Sequence, residues 1–153
     1  MRLFSYCIPV DDGKAPNPFW GVCTLAICKP QIRLTAAVGD WVAATGSRRS
    51  PIGDISGDLV YAMRVTEKLP MSAYDALAKA ELTHKIPLAT SRDPRRHVGD
   101  SIYDFSDPRA PRLRPGSLHG ERDRSRDLSG QYVLLSTHFY YFGDKPVPIP
   151  CSG

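Results

Sequence analysis

MRLFSYCIPVDDGKAPNPFWGVCTLAICKPQIRLTAAVGDWVAATGS, residues 1–47, is the stretch whose reading decides the fold. It holds both tryptophans and three of the four cysteines, and its apolar residues gather in three segments. It closes on Val38-Gly39-Asp40-Trp41-Val42, a turn followed by a strand in which Trp41 and Ala43 alternate with Val42 and Ala44. Gly39 can take a backbone angle that other residues resist, and Asp40 can hydrogen-bond its own turn. A turn of this kind feeds the chain into a curved sheet at a fixed angle, with Trp41 read as a core residue.

Working outward, Arg2 to Val10 reads as a first strand, apolar enough to be central. Asp11 to Pro18 is a loop, and Phe19 to Ile32 holds a strand with a bend at Gly21 or Pro30. After Trp41 to Thr45 comes a polar excursion, Arg48 to Ser56, and then a fourth strand, Leu59 to Thr66. Pro70 to Leu82 is the one clear helix, with proline near its start and Tyr74, Leu77 and Ala78 at helical spacing. Ser101 to Phe105 reads as a short strand, and Gln131 to Ser136 and Phe139 to Phe142 return to strand character before a turn at Gly143 to Pro146. Strands returning through short turns predict an α+β, β-dominated fold, a small barrel with a flanking helix.

The 153 residues fit one domain, 1–153, and 42% hydrophobic against 24% charged residues is the balance of a soluble globular chain. Fourteen prolines argue for loops and strands over long helices. A net charge of +4 permits contact with nucleic acid without demanding it. No apolar run reaches the roughly 18–20 residues of a membrane span. Leu3 to Val10 is short and runs into Asp11-Asp12 instead of a cleavage site. The expectation is a cytoplasmic protein without membrane contact.

Between His84 and Asp127 apolar residues thin out and arginines accumulate, offset by aspartates. This long irregular segment reads either as solvated, locally paired loop or as a nucleic-acid contact surface. The spacing of Cys23 and Cys28 departs from the tight pairs of structural zinc, so the cysteines are read as reduced, mostly buried small hydrophobes, with no metal and no cofactor expected. There is no P-loop, GxGxxG, GxSxG or HExxH pattern. If the chain is an enzyme, Asp104 with His119 or His138 is the acid–base set that the sequence offers.

The turn and strand at Val38–Val42, a polar loop and the strand Gly57–Val65 resemble the PUA-like superfamily, which includes EVE and ASCH domains. Asn17-Pro18-Phe19-Trp20-Gly21-Val22-Cys23-Thr24-Leu25-Ala26-Ile27-Cys28-Lys29-Pro30, Gly39-Asp40-Trp41-Val42, Thr45-Gly46-Ser47 and Phe139-Tyr140-Tyr141-Phe142-Gly143 are similar to a narrower group, the second type of nucleotide-modification-associated domain. The resemblance implies a PUA-like barrel and, as in EVE-type domains, a cleft beside it that accepts a flipped, modified base. Carried over, it makes Asn17, Phe19, Trp20, Thr45 and Ser47 the expected pocket, with Arg48 and Arg49 at its rim and Asp104 and Tyr103 as further additions; Arg95 and Arg96, from the arginine-rich segment, are the other residues expected on nucleic acid. The leading expectation is a recognition module for a modified base or nucleotide, with DNA-modification proteins as partners. The alternatives are an enzyme using an Asp and a His, and a protein-interaction module.

Overall fold

The computed structural model describes residues 1–150, so Cys151 lies outside the described residues. The fold is mixed α+β and strand-rich. One sheet orders β1 (Leu3–Cys7), β3 (Trp41–Thr45) and β4 (Asp58–Arg64), with β9 (His138–Tyr141) and β10 (Val147–Pro148) along the far edge of β4. A second sheet orders β2 (Cys23–Leu25), β8 (Tyr132–Ser136) and β5 (Glu67–Pro70). A short hairpin pairs β6 (Tyr103–Asp104) with β7 (Arg112–Leu113).

The two sheets are parts of one bent ladder. Tyr61 to Arg64 pair with Tyr141 to His138, and Glu67 to Pro70 pair with Leu135 to Tyr132, with no change of register between the two runs. The bend falls at Val65-Thr66, where the Thr66 N–H and hydroxyl both donate to the Leu135 carbonyl. Among the described residues no ladder joins β1 to β2, and the strand pairing is that of two sheets and a hairpin.

The turn before β3 behaves as its residues require. Gly39 sits at φ 93°, and Asp40 accepts from the Ala37 and Arg2 backbone N–H groups and from the Arg2 guanidinium. These bonds, led by the one from Ala37, hold the Asp40 carboxyl down at about 2. They also pin β1 parallel to β3, which makes β1 an edge strand and not a central one. Val42 and Ala44 face the core while Trp41 faces outward, against the expectation that Trp41 is core. With period two, one choice of face fixes both.

Helix α2 (Met71–Ala80) lies where the sequence predicts it, burying Met71, Tyr74, Asp75 and Ala78 on one face. Two further helices were not expected. The apolar run from Phe19 is a strand only over Cys23–Leu25, and α1 (Pro30–Thr35) follows it. Cys28 and Lys29, at φ 57° and 39°, are two consecutive left-handed residues that turn the chain, and Pro30 is suited to open a helix. Lys68 donates to the carbonyls of Leu34 and Ala36 and so closes the other end of α1. Helix α3 (Arg124–Ser129) lies inside the arginine-rich segment.

Candidate functional site: Cys28, His119 and Asp127

The strained turn between β2 and α1 is held from several sides. Asp127 Oδ1 accepts from the Cys28 N–H at 3.0 Å, and Arg33 Nε donates to the Cys28 carbonyl at 2.7 Å. Arg33 has no exposed surface, and its Nη1 and Nη2 donate to the carbonyls of Tyr132 and Asp127. Burial lowers its pKa to about 10, which leaves it a cation at neutral pH. Left-handed geometry in a residue other than glycine persists where the surroundings over-determine it, and such positions concentrate at functional sites.

His119 completes the group. Its Nε2 lies 3.7 Å from Cys28 Sγ, and its Nδ1 lies 2.6 Å from Asp127 Oδ2. The Tyr103 hydroxyl donates to the same Asp127 oxygen at 3.1 Å. The Asp127 carboxylate, and after it the Cys28 sulfur, raises His119 to about 9, so the ring is imidazolium at neutral pH. Burial opposes the charge on Asp127, but His119, the Cys28 N–H and Tyr103 outweigh it and hold the carboxyl below its ordinary range. Burial and the neighbouring Asp127 push the Tyr103 phenol up, so it stays a donor. Cys28, His119 and Asp127 thus form a thiol–imidazole–carboxylate relay.

Donor atoms of the same three residues lie within 4.8 Å of one another, which invites comparison with a metal centre. Both Asp127 oxygens are already engaged, one by the Cys28 N–H and the other by His119 and Tyr103. That leaves Sγ and Nε2 as two free donors, short of the three protein ligands of a catalytic zinc. The geometry suits nucleophilic chemistry better, with Asp127 orienting the ring.

Cys28 and His119 line a cleft of about 380 Å³ whose walls also include Tyr6, Asp12, Lys14, Lys29 and Arg126. Lys29 Nζ stands 4.5 Å over the Tyr6 ring, Lys14 pairs with Asp12, and Arg126 pairs with Asp123. A cleft of this size, with three cations at its wall, fits a small anionic ligand.

The residues expected to form one pocket are dispersed. Asn17 is fully buried, donating to the carbonyls of Gly13 and Val98 and accepting from the ammonium of Lys85, itself buried. Phe19 lines a second cleft, edge-to-face with Tyr141. Trp20 stacks on His84 with Arg95 over its ring. Thr45 ends β3 opposite Cys7, and Ser47 bonds Pro9 and the Arg49 N–H. Arg48 and Arg49 are exposed, Arg95 is paired with Asp93, and Arg96 donates to the Thr83 carbonyl. Asp104 is tied to Lys79 and Ser106, and His138 stands against Trp41, so of the proposed acid–base set only His119 is in the relay.

Sequence reasoning misses Cys28 and Asp127 as site residues, because they stand 99 positions apart and only Cys28 lies in a stretch that resembles the family. Of the described cysteines only Cys23 is fully buried, while Cys7 is exposed and Cys28 faces the cleft.

No helix among the described residues is long and apolar enough to cross a membrane. No curated protein and no solved structure matches the chain. Over residues 1–152, however, its sequence matches the family described as nucleotide modification associated domain 2, and the chain belongs to that family.

Proposed function

We propose that this domain is a thiol-dependent enzyme acting on a nucleotide or modified base within a nucleotide-modification system. The observation that carries the reading is the continuous relay from Cys28 Sγ through His119 to Asp127, beside a cleft whose wall includes Lys14, Lys29 and Arg126. In the proposed cycle the Cys28 proton already resides on His119 Nε2 as part of the imidazolium, and the sulfur of this ion pair attacks an electrophilic carbon, forming an S–C bond as the bond to the leaving group breaks. His119 gives the Nε2 proton to the group that leaves, then takes a proton from the water or second nucleophile that cleaves the S–C bond, which restores the ion pair. Asp127 holds the imidazolium in place, and Lys14, Lys29 and Arg126 receive the phosphate. Recognition of a modified base by stacking and edge hydrogen bonds fits the same cleft, where Tyr6 offers a ring, and serves as the binding half of this reading. Proteins of the modification system are its proposed partners. The bent ladder also supports reading the fold as a PUA-like barrel left open between β1 and β2.

The test is turnover of a panel of free nucleotides and oligonucleotides with modified bases, followed by mass spectrometry with intact-protein detection of an adduct. Activity lost in Cys28→Ala and His119→Ala but kept in Asp104→Asn is the expected pattern. Turnover that survives Cys28→Ala would overturn the thiol mechanism. Saturable nucleotide binding without turnover or adduct would leave recognition as the function.

A further inference from the structure

The sheet of β1, β3, β4 and β9 turns one face to the core, and its other face is open. Register lays the outward side chains in rows. Leu3, Trp41, Arg64 and His138 cross four strands in one line, and Ser5, Ala43, Ala62 and Tyr140 form the next. Leu3 is 69% and Tyr140 54% exposed, Arg64 and His138 are exposed, and Trp41 is half-buried. His138 stands edge-on to both aromatic rings, with centroids 5.3 Å from Trp41 and 5.8 Å from Tyr140.

This sheet is antiparallel but for β1, and a face of that kind left to water ordinarily carries polar residues. These rows carry aromatic rings, small side chains and an arginine. Neither row contains a carboxylate, in a chain with 16 acidic residues. The small side chains of Ser5, Ala43 and Ala62 leave a shallow floor beside the rings.

We propose that this face docks single-stranded nucleic acid, with bases stacked on Trp41 and Tyr140 and the backbone held by Arg64 and His138. Exposed bases stack on aromatic side chains of open sheets, two or three at a time, and cations beside the rings take the phosphates. Four strands at about 4.8 Å spacing make the row roughly 15 Å long, which suits two or three bases. The two rows carry Arg64 and no carboxylate, which complements a phosphate backbone better than the same face of a second copy, where Arg64 finds no acidic partner in these rows. Beyond Ser5 the outward positions of β1 continue to Cys7, which lines the cleft that holds Cys28. A strand lying on the face therefore has a direct path to that cleft, although the docking itself does not depend on thiol chemistry.

The test is fluorescence anisotropy with a labelled 12-nucleotide oligothymidylate, and with the same length as duplex. Trp41→Ala and Tyr140→Ala are expected to weaken single-strand binding about tenfold each, and Trp41→Phe to retain most of it. Arg64→Ala should lower the salt dependence by about one phosphate contact, a slope change of roughly 0.7. The three side chains varied lie on the outward face of the sheet, and thermal melts check that the variants fold. Unchanged affinity in the folded Trp41→Ala/Tyr140→Ala double variant would overturn the proposal. So would binding that favours duplex, or self-association abolished by Trp41→Ala, which would give the face to a second copy.

Discussion

Arg33 donates from Nη2 to the main-chain carbonyl of Asp127 at 2.5 Å and leaves the Asp127 carboxylate to other partners. A buried arginine ordinarily seeks a carboxylate. Here the guanidinium bonds the carbonyls of Cys28, Asp127 and Tyr132, so one side chain ties the strained cysteine turn to α3 and β8. The carboxylate is free to orient His119.

That arrangement predicts that Arg33→Met destabilises the fold by more than about 3 kcal/mol, because three buried carbonyls lose a charged donor at once. Gly130→Ala is the milder probe, since an added methyl would press directly on the Arg33 guanidinium. Urea denaturation measures both. Gly130→Ala should also slow alkylation of Cys28 by iodoacetamide in protein that remains folded, and an unchanged rate would separate Arg33 from the geometry of the relay.

The buried Lys85 predicts a second large effect. Its ammonium donates to the Asn17 carbonyl, Asn17 Oδ1 and the Val22 carbonyl at 2.9, 2.6 and 2.7 Å. Nearby Asp100, also buried, accepts from Thr24 and Tyr74. Lys85→Met removes the ammonium, so Asn17 Oδ1 and the Val22 carbonyl lose their charged donor while the Asn17 carbonyl keeps the Thr24 N–H, at an expected cost of about 3–5 kcal/mol. In a domain of this size that lowers the melting temperature by roughly 10 °C. A shift of only a degree or two would mean that the network contributes little.

The elements legible in the sequence are those with a clean period. Strand β3 alternates and α2 keeps its apolar side chains on one stripe, and both lie where the spacing puts them. Helix α1 is hidden because Phe19 to Ile32 reads as one apolar strand, whereas left-handed backbone at Trp20 and Gly21 and again at Cys28 and Lys29 breaks the run. Helix α3 is hidden because its buried residue is Asp127, which no hydrophobic pattern marks. His119 was legible as a base, but its partner by sequence reasoning was Asp104, which is bound to Lys79. The actual partners meet only through tertiary packing.

If Asp127 is what keeps His119 charged, Asp127→Asn should lower the His119 titration midpoint from about 9 toward the ordinary 6.5. The amide can still accept from the Cys28 N–H, so the turn is retained. Nuclear magnetic resonance of the ring protons reads the midpoint directly. A value that stays near 9 in the variant would assign the raised pKa to another group.

The same proton links the site to stability. The folded pKa of His119 lies above its unfolded value of about 6.5, so the folded state binds the proton more tightly. The stabilisation is therefore fully present below about pH 6.5 and is lost as pH rises through about 9. The ring is reached by solvent through the cleft, which reduces the expected effect to about 1–2 kcal/mol. Asp127 has the opposite sign: its lowered pKa adds stability above the ordinary carboxylate range that is lost as acid protonates it. Urea midpoints of the wild type and His119→Gln, compared from pH 6 to 9.5, should converge at the alkaline end. A difference that stays constant across that range would show that the His119–Asp127 contact is not an ion pair in solution.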